Sequence, residues 1–372
     1  MNAKTRDYFD HNATAPLKAA VRDLMITLVQ ETGNASSLHG EGRAARTRVE
    51  TAREQVAALV KTQSAYVTFT SGATESNNAV IKTFAGERIL LSAIEHPSIL
   101  EAAPAAEKIP VTKDGVINEA AFEALLDTGT APALISIMLV NNETGVIQPV
   151  EKLARLARKK HPGVYIHCDA VQAAGRLDLD FAALQIDYMS LSAHKMGGPQ
   201  GVGALITAPG ARPAKLLHGG GQEKRQRAGT ENVIGIAAFG LAAELADKDR
   251  ALFEKLAEKR DALEAKLKAV TPSLIVIGAQ APRVANTSNI SLPGVAAQTI
   301  LMSLDLEGTA ISSGSACSSG TVKSSHVLEA MQLSPDEIKG ALRISFGWDT
   351  DDAALDRLVA VWSKITPRFT TK

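Results

Sequence analysis

Apolar and polar positions run along the chain at two periods. Ala44 to Val60 carries the helical spacing of an amphipathic helix, whereas Tyr66-Val67-Thr68-Phe69-Thr70 is a β-branched and aromatic run predicted as a strand. That run stops at Ser71-Gly72, and a helical pattern follows from about Glu75. Arg88 to Ser92, Leu134 to Val140, Val164 to Cys168, Tyr188 to Leu191 and Val202 to Ile206 are further short strands in prospect. Most are followed by polar or glycine residues and then by helix. Near-continuous apolar strands alternating with helices predict an α/β domain whose mainly parallel sheet is covered on both faces. Ligands of such sheets bind beyond the carboxyl ends of the strands.

From Ile234 to about Val270 the pattern predicts one long helix, able to leave one domain and enter another. Short strands around Leu274 to Ile277 and Asn289 to Leu292, with helices near Ala297 to Leu306 and Ala353 to Ile365, predict a smaller C-terminal α/β domain. The boundary is placed near residue 250. Residues 15–250 form the large domain, and residues 1–14 with 251–372 form the small one.

Composition narrows the function. Forty basic residues balance forty acidic ones over 372 residues, which argues against nucleic acid or an anionic membrane as a partner. The cluster Lys224, Arg225 and Arg227 reads as a solvated loop. Cys168 and Cys317 are the only cysteines, too few for a disulfide framework or a four-ligand zinc site, and no HExxH pattern occurs. Met1 to Phe9 has no apolar core of a signal peptide, and no apolar run approaches the roughly 18 residues of a membrane helix. A reduced cytoplasmic protein without a metal is the expectation.

The chemistry gathers at strand ends. Ser190-Leu191-Ser192-Ala193-His194-Lys195-Met196-Gly197-Gly198 runs a strand into one lysine. A desolvated lysine loses pKa and can form a Schiff base with an aldehyde, and a surface lysine in a glycine turn is the alternative. Ile166-His167-Cys168-Asp169-Ala170-Val171-Gln172 ends a strand on a carboxylate. Such an aspartate either caps a helix or pairs with the protonated nitrogen of a pyridine ring. Cys168, on the same strand, reads as a small buried hydrophobe. Thr70-Ser71-Gly72-Ala73-Thr74-Glu75 fits either an ordinary capped helix start or a phosphate cup. It is neither a GxxxxGK[ST] loop nor GxGxxG. Ile94-Glu95-His96-Pro97 and Val140-Asn141-Asn142-Glu143 add an imidazole and amides at two more strand ends. An anion cup, an acid, a lysine and an imidazole along one sheet edge together suit a phosphorylated pyridine aldehyde.

These segments resemble a known family. SGATESNN, EHPS, NNETG, HCDAVQ and SAHKMGGPQG resemble the class V, fold-type I pyridoxal-phosphate enzymes. YFDHNATAP, GNASSLHGEGR, RAGTEN and above all Ser312-Ser313-Gly314-Ser315-Ala316-Cys317-Ser318-Ser319-Gly320 are similar to the NifS/IscS-like cysteine desulfurases. The resemblance runs from about Tyr8 to Asp351. It implies a mainly parallel seven-stranded sheet between helices and pyridoxal 5'-phosphate as cofactor. It implies that Lys195 holds the cofactor as a Schiff base and that Asp169 pairs with the pyridine nitrogen. His96 would stack on the ring, with Gln172 and Asn142 on its hydroxyl side. Ala73, Thr74, Ser192 and His194 would hold the phosphate, and Thr230 would reach the phosphate in the partner subunit of a homodimer. Arg343 would clamp the carboxylate of L-cysteine, assisted by Asn34. Asn142 also faces the substrate in this reading.

The implied reaction removes sulfur from L-cysteine, leaving L-alanine and a persulfide on Cys317. Lys195 is the expected proton carrier, and His96 exchanges protons with the thiols. The small residues around Cys317 suit a loop that carries sulfur from the cofactor to an acceptor protein, such as an iron–sulfur scaffold or a tRNA-thiolation relay. An aminotransferase, a selenocysteine lyase and a sulfur carrier that has kept the fold remain open readings. Three features depart from the pattern: the run Thr321-Val322-Lys323-Ser324 after the cysteine, Trp348 near the arginine, and an end at Lys372 where relatives extend into a scaffold-docking tail.

Overall fold

The structure is a computed structural model that describes residues 6–313 and 324–370. Its strands, in chain order, are β1 (Asp7–Tyr8), β2 (Val67–Thr70), β3 (Ile89–Ser92), β4 (Glu107–Ile109), β5 (Leu134–Ser136), β6 (Tyr165–Asp169), β7 (Tyr188–Ser192), β8 (Gly203–Thr207), β9 (Ile275–Ile277), β10 (Thr287–Ser291), β11 (Thr309–Ala310) and β12 (Ala341–Ser345). Seven of them form one sheet in the order β2-β8-β7-β6-β5-β3-β4. Every neighbouring pair is parallel except those of β8, which runs antiparallel to both β2 and β7.

Burial on both faces explains the strand composition. Every residue of β3, β5 and β7 is buried. Helices Gly40–Leu59 and Val233–Lys248 pack on each other, and their alanines and valines enter the same core as β6, β7 and β8. Because six strands share a direction, Thr70, Ser92, Ser136, Asp169 and Ser192 all finish on one edge. Gly203, the first residue of β8, pairs with both Thr70 and Ser192 on that edge.

The second core lies around the antiparallel sheet β12-β10-β9, under helices Leu256–Val270, Ala297–Leu306 and Asp352–Ile365. Phe9, Leu304, Leu342, Ile344 and Trp362 are fully buried there. β1 pairs in parallel with β11, which inserts the chain's beginning into this unit. The segment Val327, Leu328 and Met331 instead packs into the large core.

The structure corrects three sequence expectations about elements. The run Leu134 to Val140 is a ladder strand only to Ser136, although Ile137 and Leu139 still donate to the carbonyls of His167 and Asp169 at 3.0 and 2.9 Å. The chain then turns through an Asx arrangement in which Asn141 Oδ1 accepts from the amides of Glu143 and Thr144, each at 3.0 Å. The long helix is three segments, Val233–Lys248, Arg250–Glu254 and Leu256–Val270. Its breaks at Asp249 and Lys255 keep right-handed dihedrals, so the axis is interrupted rather than reversed. β4 has no counterpart among the expected strands, because a sheet-edge strand with Glu107 and Lys108 exposed lacks an apolar run.

Candidate active site

A cavity of about 500 Å3 opens beyond the carboxyl edge of the large sheet. Ala73, Thr74, His96, Asn142, Asp169, Gln172, Ser192, His194, Lys195 and Arg343 all line it. Sequence positions from 73 to 343 thus meet in one place.

At one end, β2 turns through Ser71 and Gly72 into helix Ala73–Thr83. The first-turn amides of a helix have no intrahelical acceptor, and the dipole adds positive potential there. Gly72 adopts φ +151°, a conformation closed to most residues. Gly203 is required by contact, since a Cβ there would sit 2.7 Å from the Gly72 Cα and 2.5 Å from the Leu191 carbonyl oxygen. The cup is braced by Glu75, which also lines the cavity, accepts from the Ser71 amide at 2.8 Å and pairs with Arg227 at 3.0 Å.

Asp169 ends β6 with its carboxylate buried. Oδ2 accepts from Asn77 Nδ2 at 2.8 Å, and Oδ1 accepts from the Val171 amide at 3.0 Å. His96 caps a short helical turn, and its Nδ1 accepts from the Ser98 amide at 3.1 Å. The neutral ring therefore carries its proton on Nε2. Burial lowers the His96 pKa first; the Asp169 charge opposes this, and the Lys195 and His326 charges add to it. Burial and then Lys195 push His194 down to about 4, so this ring is neutral at pH 7.

Lys195 follows β7 on a short 3-10 turn, and its Nζ donates to the carbonyls of Asn12 and Ala13. Gln172 Nε2 donates to the same Asn12 carbonyl at 3.0 Å, while its Oε1 is buried without a hydrogen-bond partner among the described residues. Arg343 reaches in from β12. Its Nη2 pairs with Asp10 at 2.6 Å, Nη1 donates to the Asn142 carbonyl at 3.1 Å, and Nε has no hydrogen-bond partner among the described residues.

Two expected residues lie elsewhere. Thr230 is exposed and lines an adjoining hollow that shares Ser71 and Gly201 with the cavity. Asn34 is exposed in a turn, where its Oδ1 accepts from the Ser36 amide at 2.9 Å, and it does not line the cavity. Cys317 lies outside the described residues. The described chain on either side of it is anchored at the site. Ser312 bridges to Arg343, Ser325 Oγ donates to Glu143 Oε2 at 2.6 Å, and His326 Nε2 lies 2.9 Å from the Glu95 carbonyl. Cys168 is fully buried on β6, and burial raises its thiol pKa well above the ordinary value.

Sequence reasoning did not single out Asn12, Asp10 and Asn77. Asn77 stands four residues after Ala73, on the same helix face as the cup, and that spacing is the signal that could have found it. Asn12 and Asp10 sit in a segment quoted only for its likeness, and their partners are more than a hundred residues away.

The arrangement can hold a flat, phosphorylated, cationic aromatic ring. It offers an amide cup, a carboxylate, an imidazole and an amine, all lining one cavity. Comparison with known proteins agrees with this chemistry. The family model described as aminotransferase class-V matches residues 7–358. A cysteine desulfurase IscS from Dictyoglomus turgidum is 38% identical, over 99% of this chain and 96% of that protein. A cysteine desulfurase from Sinorhizobium fredii is 41% identical, over 95% of each. Among solved structures, a NifS-like protein from Rickettsia africae superposes with a TM-score of 0.91 at 34% identity, covering 97% of this chain and 99% of that one. The chain belongs to the class-V aminotransferase family and, within it, to the cysteine desulfurases.

Proposed function

We propose that this chain is a pyridoxal-phosphate-dependent cysteine desulfurase that transfers the sulfur of L-cysteine to Cys317 and releases L-alanine. The observation that carries this reading is that Lys195, Asp169 and the Ala73 helix start, an amine, an acid and an anion cup, line one cavity. The fit to the cofactor rests on the donor set and on Gln172 Oε1, a buried acceptor awaiting a donor. When bound, pyridoxal phosphate supplies an aldehyde for amines and a protonated ring that withdraws electrons from a bound amino acid.

The chain's own residues supply the rest. Ala73, Thr74, Ser192 and His194 hold the phosphate. Asp169 keeps a negative charge at the ring nitrogen, and Asn77 holds that carboxylate in place. His96 would stack on the cofactor and handle a thiol proton at Nε2. Gln172 and Asn142 would address its hydroxyl. Lys195 Nζ would hold the cofactor and move the α-proton. Arg343 turns its fork to the substrate carboxylate, with Asp10 as the resident counter-ion that fixes its orientation. Cys317 Sγ, as thiolate, bonds to the substrate sulfur while the carbon–sulfur bond breaks, so that one thiol and cysteine become one persulfide and alanine.

The finer points belong to the same reading. Residues 15–250 act as the cofactor domain, and residues 1–14 with 251–372 as the domain carrying Cys317 and Arg343. A homodimer brings Thr230, and through the same face Asn34, to the partner subunit's site. Exposed Ile26, Val29 and Leu38, which flank Asn34 in sequence, support a buried contact. The persulfide passes to an acceptor protein that serves iron–sulfur cluster or thio-cofactor and tRNA synthesis. A reducing cytoplasm suits a thiol that must be regenerated each turnover. Titration of purified protein with pyridoxal phosphate tests the base of this reading: a yellow absorbance band is expected, lost in Lys195→Ala. A Lys195→Ala protein with the same band would refute it.

A further inference from the structure

A second cavity, of about 330 Å3, shares Lys195 with the first and contains none of the cup residues. It is bounded by the large core on one side and by helix Leu256–Val270 and Phe346 on the other. Arg176, only 4% exposed, is among its lining residues. Arg176 Nη1 donates to Asn12 Oδ1 at 2.8 Å and to Asn286 Oδ1 at 3.3 Å. Among the described residues no carboxylate pairs with it, and its strongest charged neighbour is another cation, Arg343. A buried guanidinium supported only by neutral amide oxygens is costly, and an anion would relieve that cost. Lys255 adds positive charge at the rim, while the other charged rim groups are paired, Lys259 with Asp352 at 2.8 Å and Asp249 with Lys18 at 2.6 Å.

The walls select among anions. The Phe253 ring centroid lies 5.9 Å from the Arg176 guanidinium carbon. The Trp348 ring stands edge-on to His11 with centroids 5.6 Å apart, and Lys18 Nζ lies 5.0 Å from its centre. Leu256 and Phe346 complete an apolar lining. A planar fork in the lining suits a carboxylate, and the aromatic walls suit an apolar body. We infer that this cavity is a second binding site, distinct from the proposed catalytic one, for a small organic carboxylate with an apolar body, held by Arg176 and reported by Trp348.

The holoenzyme provides the test, because the chain has two tryptophans and Trp362 is fully buried. Benzoate and hexanoate are titrated while tryptophan emission is followed, with acetate and inorganic phosphate as size controls. A saturable change for the larger carboxylates is expected, lost in Trp348→Phe and retained in Arg343→Gln. Arg176→Gln should weaken it roughly tenfold or more, and Arg176→Lys less. Lys255→Glu, an exposed change that spares the core, should weaken it about threefold at low salt. The inference is overturned if no saturable change appears, if acetate or phosphate binds as tightly, if Arg176→Gln and Lys255→Glu both bind as wild type, or if Arg343→Gln abolishes the signal.

Discussion

Asn77 Nδ2 donates to Asp169 Oδ2 across 2.8 Å, tying the helix that opens the anion cup to the carboxyl end of β6. The cup and the acid of the proposed cofactor site are therefore one unit. Asn77→Ala should free the carboxylate and weaken pyridoxal-phosphate binding about tenfold, the scale of one hydrogen bond to a charged group. Equilibrium dialysis of the cofactor checks this, and unchanged affinity would contradict it.

Gly203→Ala tests the cup's construction. The added Cβ would meet backbone atoms of Leu191 and Gly72, neither of which can rotate away. A loss of about 1–3 kcal/mol in stability is expected from overpacking. A lower thermal midpoint together with weaker cofactor retention would agree, whereas an unchanged midpoint would not.

Glu95 sits beside His96 and is fully buried. Burial first, and the Asp169 charge second, raise its carboxyl well above the ordinary value of 4.5. Above pH 4.5 the unfolded chain has released this proton while the folded chain keeps it. Its stabilising contribution is full below that pH and is lost as pH rises through the folded value. Glu95→Gln removes the titration. Urea midpoints should fall from about pH 5 to about pH 8 more steeply in wild type than in Glu95→Gln; equal slopes would count against the assignment.

His194 has the opposite sign. Its folded pKa, about 4, lies below the ordinary 6.5, so its contribution is present above 6.5 and is lost as pH falls toward 4. Nitrogen-15 NMR of the imidazoles should show His194 still neutral at about pH 5.5, where an exposed histidine is mostly charged. A midpoint near 6.5 would show that the ring is not desolvated as described.

The sheet and its binding edge were legible because burial on both faces forces β-rich apolar runs, as in β3 and β7. β4 was not, because an edge strand with exposed Glu107 and Lys108 carries no such run. The breaks at Asp249 and Lys255 were hidden because neither residue is a strong helix breaker, and the first is bound by Lys18, far away in sequence. Lys195, Asp169 and His96 were legible as reactive groups at strand ends. Their supports were not: Asn12 and Asp10 gain meaning only when residues near 140 and 343 close over them. The aromatic and cationic second cavity likewise draws on residues from His11 to Thr350, a grouping that no local motif encodes.

The most direct test follows the sulfur itself. Holoenzyme is incubated with L-cysteine, alanine is measured, and persulfide is trapped by alkylation and located by peptide mass. One alanine per active site without reductant, multiple turnovers with it, and the label on Cys317 are expected, with Cys317→Ser yellow but unable to form the persulfide. No alanine, or a persulfide found anywhere but Cys317, would contradict the proposed function.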